Sequence, residues 1–171
     1  MSEPHSRKSE FHDIELIYLG WVEPNNGRML NAVDLKINGE LVTYKYFSWD
    51  WNYTALCSRY HPDSPNGQFF FLPSEGGGAL IDTSNNYSAI GLHCTSKYAS
   101  TMIGNTYFND RIFVVHQDEV TVMHLPTLQQ KIYEFKEIAV SWVSPIDDKQ
   151  FELSYYDGIS DEKQTQVVRF D

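Results

Sequence analysis

Two cysteines and two histidines offer the first chemistry in this chain. Cys57, His61, His93 and Cys94 are zinc-ligand types, and the Cys57-x3-His61 spacing suits one helix face or a loop. His93 and Cys94, however, are adjacent, and adjacent residues on a strand point to opposite sides. The set therefore reads as thiols packed as small hydrophobes beside exposed histidines; no metal and no cofactor are expected. A cysteine nucleophile needs a nearby base, so Cys94 would have to meet His116 or His124 in space, and no flanking signature supports this. Gly91-Leu92-His93-Cys94-Thr95 lacks the serine of a nucleophile elbow. Gly76-Gly77-Gly78 lacks the Lys and Ser/Thr of a phosphate loop and reads as a turn. The carboxylate pairs Asp118-Glu119, Asp147-Asp148 and Asp161-Glu162 fall in expected turns, where solvated charge is the ordinary reading. A non-enzymatic protein is expected, with an enzyme using Cys94 or a carboxylate pair as the third reading.

One acidic stretch has the composition of a recognition surface. From Asp147 to Glu162 there are six carboxylates (Asp147, Asp148, Glu152, Asp157, Asp161, Glu162) against Lys149 alone, giving −5 of a total −10. Tyr155 and Tyr156 lie within it and Trp142 just before it. Carboxylates supply steering and rings supply anchoring area, which suits a basic protein partner. A second aromatic candidate is Trp49-Asp50-Trp51. With Tyr53, its two tryptophans would equally serve as sugar platforms, so a carbohydrate-binding β-sandwich module is the alternative reading. With 13 Lys+Arg against 23 Asp+Glu, the chain has little to build a basic face for nucleic acid or an anionic membrane. Two distant cysteines read as reduced thiols in a cytoplasm. No apolar run approaches a membrane span.

The elements that must position these residues read as strands. Residues 1–12 are polar and are expected to form a disordered leader, followed by one β-rich domain over 13–171. Ile14 to Trp21 is apolar on both sides, as in a central strand. Asn38-Gly39 separates Leu30–Ile37 from Glu40–Phe47, the pattern of a two-residue type I′ hairpin. That turn predicts Ile37 opposite Glu40, Leu35 opposite Val42, Val33 opposite Tyr44 and Asn31 opposite Tyr46. Short strands are expected at 68–72, 79–82 and 87–93. Residues 96–103 are ambiguous, with one helical turn as an option. A meander follows: 112–116, 120–125 (joined by Gln117-Asp118-Glu119), 131–135, 138–143, 150–156 and 165–170. A short helix over 127–134 is the competing reading there. The predicted fold is all-β, an antiparallel meander forming a sandwich or open barrel, with a small propeller-like sheet as runner-up.

Acidic charge, aromatic content of 15%, β-rich patterning and the lack of catalytic motifs together resemble the bacterial immunity proteins of contact-dependent or polymorphic toxin systems. That resemblance implies a cytoplasmic inhibitor that binds a cognate toxin domain, often a basic nuclease, and blocks its active site or substrate groove. The residues it would use are Asp147, Asp148, Asp157, Asp161, Glu162, Trp142, Tyr155 and Tyr156, then Trp49, Asp50 and Trp51.

Overall fold

The computed structural model describes residues 6–22, 30–48, 59–73, 77–95, 102–159 and 161–170. They form strands β1 (Ser6–Lys8), β2 (Ile14–Val22), β3 (Leu30–Ile37), β4 (Glu40–Ser48), β5 (Phe69–Leu72), β6 (Ala79–Asp82) and β7 (Ser88–Gly91). There follow β8 (Met102–Phe108), β9 (Arg111–His116), β10 (Glu119–His124), β11 (Gln129–Glu134), β12 (Ile138–Asp147), β13 (Gln150–Asp157) and β14 (Lys163–Arg169). No helix occurs among the described residues. The strands build four antiparallel sheets, each a run of consecutive strands: β1–β4, β5–β7, β8–β11 and β12–β14. None closes into a barrel, and the all-β antiparallel meander agrees with the sandwich-like arrangement expected from the sequence.

The β8–β11 sheet is buried on both faces because β9 and β10 are apolar at odd and even positions alike. Ile112, Val114 and Met123 join the larger core, with Ile14, Leu16, Val33 and Leu35 of the first sheet and Phe70, Phe71, Leu80 and Ile81 of the β5–β7 sheet. Phe113, Val115, Val120 and Val122 face the other way, onto Val140, Val143, Phe151 and Leu153. In this second core the Phe113–Phe151 and Tyr133–Phe151 ring pairs meet edge-on, at centroid distances of 5.6 and 5.7 Å. Phe170 closes the cluster at 5.6 Å from Phe151. Edge-to-face and tilted rings add attraction beyond the area they bury.

The Asn38-Gly39 hairpin forms as expected, with positive φ at both turn residues (52° and 79°) and Ile37↔Glu40, Lys36↔Leu41 and Leu35↔Val42 in register. Beyond Leu35 the expected pairing fails: Val33 pairs with Tyr46 and Asn31 with Ser48, a slip of two residues. A bulge on the other side of β3, between Tyr18 and Gly20 of β2, lies opposite the same region. Bulges bend a sheet and increase its twist, and across these two Val33, Leu35 and Ile37 stay buried.

Other expectations need correction. Part of the expected leader, Ser6–Lys8, is strand β1 on the edge of β2. Nearby, the carboxylate of Asp63 accepts bonds from Ser9 Oγ and the Glu10 amide at 2.6 and 2.9 Å. Residues 127–134 are not a helix; Leu128, at φ 58°, ends a turn that leads into β11. Met102–Phe108 is a strand that alternation did not reveal, because Gly104 and Asn105 interrupt its apolar pattern. They do so for a reason: a side chain at Gly104 would strike the Arg59 carbonyl. Asn105 forms two hydrogen bonds with the His61 backbone, accepting from its amide and donating to its carbonyl.

Candidate functional site

The β9–β10 hairpin closes through Gln117-Asp118 alone, since Glu119 already belongs to β10. One step beyond the Val115↔Val120 pair, His116 and Glu119 therefore stand opposite each other. By parity they continue the face of Ile112, Val114, Thr121 and Met123. Both are buried, so the sequence expectation of a solvated Asp118-Glu119 turn is wrong for Glu119. Burial lowers the His116 pKa from the ordinary imidazole value, while Glu119 and Asp118 pull it the other way. Neither His116 ring nitrogen has a hydrogen-bond partner.

The segment Leu92–Thr95 runs across this face and is held at three points. The His93 amide donates to Gln130 Oε1 at 2.8 Å, and the Thr121 hydroxyl donates to the His93 carbonyl at 2.9 Å. The Thr95 amide meets both Glu119 carboxylate oxygens at 3.2 Å, and its hydroxyl lies 2.9 Å from Glu119 Oε2 and 2.8 Å from Glu134 Oε1. Cys94 sits between these anchors, and its sulfur, a His116 nitrogen and a Glu119 oxygen all lie within 4.8 Å of one another. Of the two bases considered for Cys94, His116 is brought to it. His124 is at the far end of β10, roughly 17 Å away along the strand, with its Nδ1 on the Thr127 hydroxyl. Of the three residues read as zinc types that are described, Cys94 enters this cluster, while the His61 and His93 side chains are exposed.

Beside the cluster lies an open cleft of about 770 Å³ between the β8–β11 and β12–β14 sheets. Its frame is backbone: Phe135 N donates to the Asp118 carbonyl at 2.8 Å and Val140 N to the Gln117 carbonyl at 2.7 Å. Among the described residues, Asp118, Glu119, Glu134, Glu137 and Asp157 line it against one cation, Lys136. Phe135, Ile138 and Tyr156 supply apolar wall. Tyr156 is 42% exposed, and Ile159, just past the rim residue Gly158, is 99% exposed.

The acidic stretch found in the sequence is divided by the fold. Asp147 and Asp148 close the β12–β13 hairpin, whereas Asp157 ends β13. Seven residue steps of extended strand set these ends roughly 24 Å apart. At the first end Asp147 accepts from the Lys149 amide at 2.7 Å, and Asp148 accepts from Asn109 Nδ2 at 2.7 Å and pairs with Arg111 at 3.8 Å. At the other end Asp157 caps its own turn through the Ile159 amide and Gln164, and Asp161 and Glu162 are exposed. Trp142 is half-buried under the Arg59 guanidinium, 5.2 Å from the ring centroid, and the Tyr155 hydroxyl donates to Gln164 Oε1 at 3.3 Å. Trp49, Asp50, Trp51 and Cys57 lie outside the described residues. The carboxylates that join Asp157, namely Asp118, Glu119, Glu134 and Glu137, come from the β9–β10 turn and from the end of β11 and its connection to β12, and form no single run in the sequence.

The chain matches no protein-family model, and a search among curated proteins finds no significant relative.

Proposed function

We propose that this protein is a non-catalytic, cytoplasmic acidic binding protein that neutralises a basic protein partner, and that the partner is a toxin domain for which it is the immunity protein. The carrying observation is the cleft: among the described residues, five carboxylates and one lysine stand around a concavity of about 770 Å³, with Tyr156 and Ile159 exposed at its edge. A concave, low-dielectric wall of one sign concentrates its field and speeds encounter with a basic surface. Exposed apolar side chains beside it supply anchoring area that charge alone does not give. The acidic net charge acts in the same direction.

The test uses the wild-type chain and the Glu134→Lys/Glu137→Lys double variant as baits in the native host, followed by binding kinetics with the purified prey. The expected prey is a basic protein encoded next to this chain, associating more slowly as salt rises and roughly tenfold or more slowly with the double variant. An acidic prey, or equal association rates for both baits at low salt, defeats the reading.

A further inference from the structure

We propose that Cys94, His116 and Glu119 form a binding site for a borderline-soft divalent transition-metal ion, with zinc as the member of that class that fits best. A buried polar group with no partner costs folding free energy, and His116 is fully buried with two such nitrogens. Within 4.8 Å of one of its nitrogens lie a thiol in no disulfide and a carboxylate oxygen. Sulfur, imidazole nitrogen and carboxylate oxygen make a ligand set that selects zinc-like ions over magnesium or calcium. Around a tetrahedral zinc, bond lengths of about 2.0–2.3 Å place ligand atoms about 3.3–3.6 Å apart. The three atoms here are already within 4.8 Å, so small side-chain rotations complete the site. Thiolate and carboxylate together balance the charge of a divalent ion, which removes the objection to burying either.

The surroundings hold the ligands as the partners of a metal site do. Thr95 orients the Glu119 carboxylate through its amide and hydroxyl. The Thr121–His93 and Gln130–His93 bonds fix the backbone that carries Cys94. A nucleophile–base pair explains the cluster less well, because it needs a third group hydrogen-bonded to the histidine to orient it, and neither His116 nitrogen has one. Three protein ligands leave a tetrahedral ion one further position, and Glu119 also lines the cleft. This assignment replaces the sequence expectation of no metal, and it stands apart from the basic-partner reading.

The full chain, stripped with chelator and kept reduced, is titrated with Co²⁺. One ion per chain should bind, with a near-ultraviolet thiolate-to-cobalt charge-transfer band. Cys94→Ser should abolish the band and Cys57→Ser should keep it, while Glu119→Gln weakens binding at least tenfold. In the unaltered protein, one equivalent of Zn²⁺ should slow iodoacetamide alkylation of Cys94 at least tenfold, read by peptide mass mapping, so the outcome does not depend on a variant folding. Absence of a stoichiometric band, a band that follows Cys57, or Cys94 alkylation unaffected by zinc overturns the site.

Discussion

Ile112 and Phe113 are consecutive on β9 and both fully buried, yet they belong to different hydrophobic cores. A single strand thus ties the two halves of the molecule together. Removing the Phe113 ring empties space among Phe151 and Phe170, and Ile112→Ala opens a smaller void on the opposite face. We expect Phe113→Ala to cost about 3–5 kcal/mol and Ile112→Ala about 2–5 kcal/mol. Urea unfolding should keep one transition in both, because the shared sheet cannot lose one core and retain the other. Two separated transitions would contradict this coupling.

Gly39→Val tests the hairpin. No atom lies within 4 Å of an added Cβ, so the cost comes from backbone alone, at φ +79°. A β-branched residue there should destabilise by about 1–2 kcal/mol in denaturant titrations. Gly104→Ala should cost more, since its Cβ would lie 2.2 Å from the Arg59 carbonyl oxygen and would push the 59–61 segment off β8.

Stability should fall steeply in alkali. Burial above all raises the pKa values of Tyr60 and Tyr107 well above 10.0; Tyr107 and then Asp63 add to the rise at Tyr60, and Asp63 adds to it at Tyr107. Their neutral hydroxyls donate to the carbonyls of Phe71 and Pro62, at 2.5 and 3.1 Å. Above pH 10 the unfolded phenols have lost protons that the folded ones retain, so the folded state weakens as pH rises, by up to about 1.4 kcal/mol per unit for each tyrosine. Thermal melts from pH 9 to 11.5 should show the loss, and Tyr60→Phe should reduce its slope.

The two ends of β13 should respond differently to charge reversal. Asp147→Lys/Asp148→Lys alters a hairpin tip roughly 24 Å from the cleft, where Asp148 is already engaged by Asn109 and Arg111. We expect these changes to leave partner association within about twofold, while Glu134→Lys/Glu137→Lys slows it roughly tenfold or more at low salt. Stopped-flow association with the purified partner distinguishes the ends, and the reverse ranking would move the interface to the hairpin tip.

Glu119→Gln probes the buried carboxylate by itself. It keeps shape but weakens the acceptor for the Thr95 amide and hydroxyl. Loss of a charge-assisted bond at a buried site should cost about 1–3 kcal/mol. Chemical denaturation in chelator measures this without any contribution from bound metal, and an unchanged midpoint would mean that Thr95 does not depend on the charge.

Local chemistry made much of the architecture readable from the sequence. Asn38-Gly39 dictates a tight turn because few residues accept positive φ, and the doubly apolar 112–116 and 120–123 runs demand a sheet covered on both faces. The acidic, aromatic composition pointed to a basic partner. Other features depended on distances that no run of residues encodes. The slip beyond Leu35 is a bulge in the β3–β4 ladder that lies opposite a second one at Tyr18–Gly20 of β2. The Asp147–Glu162 stretch looked like one surface, but an extended strand separates its two ends, and the acidic cleft draws instead on the β9–β10 turn, the β11–β12 connection and the end of β13. The His116–Glu119 pairing was nearly legible: had the turn been read as two residues rather than three, alternation alone would have placed them opposite each other. That Cys94 joins them is decided only by tertiary structure, because the segment bearing it is laid across β10 by side-chain bonds to Thr121, Gln130 and Glu119.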